Sequence, residues 1–224
     1  MKTLIYGAGA TGRMAAFMLK GSNQEYELVD DMADDLPFFE IYEKQVYSLS
    51  DALTHLPFDE YEALVCVGYQ HGKGGMNARR EELSRHLLDL GYALRGLSVT
   101  SDKLSMAHAR CSKSMILGGT EFHTNVILEP GCFLGSNVTV GHDVRIGAYS
   151  WINSGVSIDG SAKIGRRCVI GSNAVVGAGV TLGDRTLVGP GAVVLRDTAP
   201  DAVVLAAPSE VQRFSSDVYG GMAK

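Results

Sequence analysis

Three observations predict an α/β domain followed by an all-β parallel β-helix. A glycine-rich turn joins an apolar strand to a helix near the start, and strands and helices alternate through the first hundred residues. From Leu128 to Val194 an aliphatic residue then recurs at every sixth position. At 224 residues with 46% hydrophobic content, the chain can fill two cores. The boundary is expected where TSDKLSMAHARCSKS (100–114) fits neither period, giving domains of 1–105 and 106–224.

The first domain reads as a small Rossmann-like βαβ unit. KTLIYGAGATGRMAAFML is a short apolar strand, a glycine turn and a helix, and ELVDD (27–31) is a second strand ending in acids. EALVCVG (62–68) is a third buried strand, followed by a Gly-rich loop and a charged helix, MNARREELSRHLLDLG. Such alternation builds a parallel sheet with helices on its faces. GAGATG satisfies G-x-G-x-x-G between strand and helix, with Asp30 and Asp31 about twenty residues on. Backbone N–H groups at that helix start suit a phosphate, and an Asp suits a ribose hydroxyl. Lys73 or Arg79, from the loop YQHGKGGMNARR, could approach the same phosphate. The turn alone leaves three readings open: a nucleotide or nucleotide-sugar pocket, a nicotinamide site, or a glycine turn used only for packing.

The second domain follows a six-residue period. Leu128, Leu134, Val140, Ile146, Ile152, Ile158, Ile164, Ile170, Val176, Leu182, Val188 and Val194 are in strict register. At the chain's own apolar frequency, such a run arises by chance roughly once in ten thousand. Small or β-branched residues two positions earlier, from Val126 to Ala192, point the same way along a strand. Glycine follows the aliphatic in most hexads, at a position expected to turn a tight corner. Three strands and three corners make one triangular coil, and Ile116 and Phe122 could begin an additional one. The last segment, from Thr198, is expected to cap the stack.

The outward residues fall into three columns eighteen apart. Phe133, Trp151, Val169 and Leu187 form an apolar one, expected to be covered, preferably by another copy of the chain and otherwise by the first domain or the tail. Thr139, Ser157, Val175 and Val193 form the second, and Arg145, Lys163 and Thr181 the third. The hexad accounts for neither His142 nor Asp143 at the corner between those last two columns. A histidine beside a carboxylate suits general-base work near neutral pH. A three-histidine metal enzyme is disfavoured, because the repeat region adds only His123.

A net charge of −5 argues against nucleic-acid and anionic-membrane partners. No run of about 18 apolar residues suggests a membrane span, and an apolar start broken by Gly9, Gly12 and Arg13 is unlike a signal peptide, so a cytoplasmic location is expected. Four cysteines without CxxC pairing suggest reduced core residues and no metal site.

A glycine turn with a DD pair, joined to hexapeptide coils carrying an HD dipeptide, resembles the bacterial sugar acyltransferases of the sialic acid O-acetyltransferase type. These include N-acetyltransferases of nucleotide-linked amino sugars, and the resemblance covers nearly the whole chain. It implies a left-handed parallel β-helix that assembles as a homotrimer, with acetyl-CoA along the β-helix at the subunit interface. It implies a nucleotide-sugar or sugar substrate in surface-glycan biosynthesis, held at Gly9, Ala10, Thr11, Asp30, Asp31 and Gly68. His142 with Asp143 matches the family's general base, and Trp151, Ser172 and Pro190 match its acetyl-CoA contacts. Thr11 and Trp151 stand where the family usually carries histidines, and Glu210 stands where it commonly has a lysine. Another acyl-CoA, a free sugar such as sialic acid, or a non-catalytic sugar-nucleotide-binding role remain alternatives.

Overall fold

The structure is a computed structural model that describes residues 1–33, 44–68, 77–98 and 113–209, and the backbone of strands 38–39 and 109–111. Lys73 and Glu210 lie outside the described residues. The first domain runs β1 (Lys2–Tyr6), α1 (Ala10–Gly21), β2 (Tyr26–Val29), β3 (Phe38–Phe39), β4 (Lys44–Tyr47), α2 (Leu49–His55), β5 (Tyr61–Val65), α3 (Ala78–Asp89) and β6 (Ala93–Leu94). The sheet order is β3-β4-β2-β1-β5-β6, with only the β3–β4 pair antiparallel. The chain winds outward from β1 in both directions, so the sheet order reverses between β1 and β5. That switch point leaves a crevice beyond the strand ends, where open α/β sheets bind ligands.

Alternation along β1 decides which layer each residue joins. Leu4 and Tyr6 pack with α2 and α3 residues such as Ala52, Leu83 and Leu87. Ile5 packs on the opposite face with Ala15, Ala16 and Leu19 of α1. Those α1 positions, with Gly12, follow helical spacing and are buried. Gly12 has a steric reason to lack a side chain, since a Cβ there would lie 1.7 Å from the Gly7 carbonyl oxygen.

The remaining strands stack as the three faces of a parallel β-helix. One face begins at Leu97–Ser98, upstream of the boundary expected at residue 105, and passes through Met115–Ile116, Phe133–Leu134, Trp151–Ile152, Val169–Ile170 and Leu187–Val188 to Val203–Val204. The second runs from Glu121–Phe122 through Thr139–Val140 to Val193–Val194, and the third from Ala109–Cys111 through Arg145–Ile146 to Thr181–Leu182. The inward aliphatic and small positions read from the hexad fill one core, which also takes in Ile116 and Phe122. The two polar members, Ser150 and Thr186, are buried and donate to the Gly165 and Gly183 carbonyls at 2.8 and 2.7 Å.

Two expectations need correction. The left-handed backbone falls two residues after the hexad glycine, at Asn137, Asp143, Tyr149, Ser161, Arg167 and their equivalents. The glycine itself is demanded by the next coil: a Cβ at Gly141 would lie 2.5 Å from the Gly160 nitrogen. The apolar face is not left for another copy either. Phe133, Trp151 and Val169 share one buried cluster with Ile5, Ala15, Leu19 and Leu28, so the chain's own first domain covers them.

Candidate functional site

His142 and Asp143 stand on the vertex between the second and third faces, where the backbone leaves Val140 and turns toward Arg145. Asp143 adopts φ 58°, a conformation that Asp tolerates better than most residues, so it also serves the turn. Its carboxylate accepts from Asn125 Nδ2 at 2.6 Å and faces His142 Nδ1 at 2.9 Å. The Asn125 amide first, and then the imidazole, hold the Asp143 carboxyl below the usual carboxylate range. An anionic carboxylate can only accept, which assigns the proton to Nδ1 and leaves the Nε2 lone pair free. The ring is 59% exposed and rests against Gly160, the equivalent residue one coil on. A Cβ at Gly160 would lie 2.5 Å from Nε2.

The second part of the site lies in the first domain, at the sheet's switch point. A cavity of about 470 Å³ is lined by Tyr6, Gly7, Gly9, Ala10, Thr11, Asp30, Asp31, Cys66, Gly68 and Arg79, among others. The structure therefore brings together all six residues expected to hold substrate. Among the described residues no side chain caps α1 and no acid sits in its first turn, so the helix start that lines the cavity has no side-chain cap of its own. Asp30 is engaged by backbone, accepting from Ala8 N at 2.6 Å and Met32 N at 3.0 Å. Asp31 accepts from the Tyr6 hydroxyl and from Arg79 Nη2, the latter at 2.6 Å. Burial pushes the Asp31 carboxyl up, but the hydrogen bonds from Tyr6 and Arg79 outweigh it and leave the group below its ordinary range. Burial, reinforced by Asp31, pushes the Tyr6 hydroxyl well above its usual range and keeps it a donor. Arg79 reaches the cavity as expected, but it also meets Glu82 at 3.0 Å, so two carboxylates already neutralise it.

The start of α3 ties this pocket to the β-helix. Next to Arg79, Arg80 is 4% exposed and donates to the Gly131 carbonyl at 3.0 Å and the Tyr149 carbonyl at 2.5 Å, with its guanidinium 5.2 Å from the Trp151 ring centroid. Burial pulls its pKa down to about 10, which still leaves a cation at neutral pH. Glu81 binds Arg166 at 2.8 Å and also Arg167, on a β-helix vertex.

Of the residues expected at acetyl-CoA, Ser172 and Pro190 are exposed and stacked on the vertex between the apolar and second faces, where Gly191 N donates to Ser172 O at 2.9 Å. Trp151 is elsewhere. It is 6% exposed, stacks on Phe133 with centroids 3.8 Å apart, and lies under Arg80 in the interdomain core, so it offers no surface to a cofactor. Asn125, Gly160, Tyr6 and Arg80 were missed by sequence reasoning. Asn125 and Gly160 were detectable, since they stand eighteen residues from Asp143 and His142, one coil away. Tyr6 and Arg80 carry no such periodic signal.

The described residues contain no group of three or more His, Cys, Asp or Glu placed to hold a metal, and no helix long and apolar enough to cross a membrane. Residues 125–159 match the hexapeptide-repeat model of succinyl-transferases, and 143–178 and 161–196 match the bacterial transferase hexapeptide model of six repeats. No curated protein sequence matches the chain. Among solved structures, it is similar to PerB from Caulobacter crescentus in complex with CoA and GDP-perosamine, with TM-score 0.78, 23% identity, and 95% of this chain and 97% of that chain covered. It is also similar to the acetyltransferase domain of PglB from Neisseria gonorrhoeae in complex with acetyl coenzyme A, with TM-score 0.76, 24% identity and 93% and 98% covered. WeeI from Acinetobacter baumannii is more distant, at TM-score 0.52 and 16% identity, with 95% and 100% covered. A perosamine N-acetyltransferase from C. crescentus is further matched as histidine-to-asparagine and histidine-to-alanine mutants, both with CoA and GDP-perosamine. These likenesses establish the two-part fold.

Proposed function

We propose that this chain transfers the acetyl group of acetyl-CoA to an amino or hydroxyl group of a nucleotide-linked sugar, in bacterial surface-glycan biosynthesis, with His142 as general base. The observation that carries this reading is the Asn125–Asp143–His142 chain of contacts on an open vertex, which occupies Nδ1 and leaves Nε2 of a largely exposed ring for the acceptor. Nε2 takes the proton of the acceptor amine or hydroxyl as its lone pair attacks the thioester carbonyl. When the tetrahedral centre collapses, the C–S bond breaks and the imidazolium returns the proton to the departing thiolate. Asp143 fixes the tautomer and stabilises the imidazolium. The cavity at the start of α1 suits the nucleotide, its N-terminal amides receiving phosphate. CoA and GDP-perosamine bound to a protein of the same fold support both halves of this assignment.

The two halves of the site lie on opposite sides of one subunit, because the first domain covers the apolar face and His142 occupies the vertex opposite that face. A neighbouring copy must therefore bring its sugar pocket to this vertex. Head-to-tail contacts of unlike patches close in a ring, and a homotrimer is the assembly we assign.

A panel of nucleotide sugars carrying a free amine or hydroxyl, incubated with acetyl-CoA and read by free-thiol release, tests the reading. At least one acceptor is expected to give turnover, and no release across the panel overturns it. Gly160→Ala is a finer probe of the base. Gly160 does not need the left-handed backbone, so the melting temperature should stay within a few degrees. The new methyl must displace the imidazole, lowering kcat by about 10²-fold.

A further inference from the structure

Among the described residues that line the nucleotide cavity the one cation is Arg79, and it already faces Asp31 and Glu82. Two further cations stand on the third face, next to the His142 vertex. On the third face Arg145 pairs in register with Lys163, so both project from the same side of the sheet, about 4.8 Å apart along the stack. Both are exposed, and among the described residues neither has a carboxylate partner. Like charges directly opposite one another destabilise a sheet. The chain has a net charge of −5, yet its excess acids are not spent on this pair.

The placement matters. Arg145 follows His142 by three residues, which limits their Cα separation to about 10 Å. Lys163 follows by three the residue on which the imidazole rests, Gly160. The pair thus heads the face that starts at the His142 vertex.

We propose that Arg145 and Lys163 bind the sugar-side phosphate of the acceptor's diphosphate and hold the sugar ring between themselves and His142. The proposal rests on the reading of the chain as an acetyltransferase of nucleotide-linked sugars. In such a sugar, one oxygen joins this phosphate to the anomeric carbon, so the reacting amine or hydroxyl lies about one ring width from it. The phosphates of CoA are separated from the thioester by the whole pantetheine arm, too far for cations placed this close to the base. A guanidinium fork beside a compact ammonium is a common phosphate receptor. The amides of α1 then serve the phosphate nearer the nucleoside, contributed by the neighbouring copy.

The test is steady-state kinetics of Arg145→Gln, Lys163→Gln and the double variant with the acceptor found in the panel. KM for the nucleotide sugar should rise about tenfold in each single variant and about 10²-fold in the double, with kcat and the KM for acetyl-CoA within about twofold of wild type. An unchanged sugar KM in the double variant overturns the proposal. So does a raised KM for acetyl-CoA alone, which would make CoA the occupant. If the wild-type protein acetylates no nucleotide sugar, the functional reading falls, and calorimetric titration with inorganic pyrophosphate decides the anion site separately. Binding by wild type but not by the double variant supports it, and equal heats overturn it.

Discussion

Replacing His142 by alanine is expected to lower kcat/KM for acetyl transfer by about 10²- to 10⁴-fold, the usual contribution of a positioned general base. The melting temperature should move by no more than a few degrees. The side chain is 59% exposed, rests on Gly160 and belongs to neither domain core. Substitutions at such surface positions change stability by about 0.5 kcal/mol or less. Asp143 keeps its turn and its bond from Asn125 in the variant, so the vertex should hold its shape. Thiol release together with a thermal melt separates the two effects. Transfer surviving within tenfold of wild type would mean that another group removes the acceptor's proton.

The largest stability effect is expected from Trp151→Ala, at about 3–5 kcal/mol, the range for truncating a buried aromatic. Trp151 stacks on Phe133, shares a cluster with Ile5, Leu28 and Val169, and carries Arg80 over its ring. The truncation leaves a void where the two domains meet and exposes a buried guanidinium to a poorer environment. Urea unfolding should show the loss, while the mass measured by light scattering stays that of wild type, because the chain itself covers this face. An unchanged unfolding midpoint with a reduced mass would instead place Trp151 at a contact between subunits.

The β-helix was legible because its physics is periodic. A coil of eighteen residues repeats its inward positions, so Leu134, Ile152 and Ile170 announce a core that needs no distant partner to be recognised. The same regularity exposed His142 as a residue the repeat does not require. The glycine turn and the acids beyond β2 were legible for a related reason, since a strand, a tight turn and a helix start are local, and the cavity they line contains each of the residues read from them.

What covers an apolar column is a different kind of question. Phe133, Trp151 and Val169 demand burial, but burial is non-directional, and a second copy satisfies it as well as α1 does. Only the folded chain chose, through contacts between residues as far apart as Arg80 and Tyr149. The role of the hexad glycines was hidden for the same reason: a glycine signals freedom of backbone or lack of room, and only the neighbouring coil shows which. Sequence by itself determined the two folds, the vertex that carries His142, the proposed base, and the residues that line the cavity at the start of α1. Tertiary structure decided that the pocket and the base stand on opposite sides of one subunit, because one apolar face had to be buried and the first domain was tethered close enough to bury it.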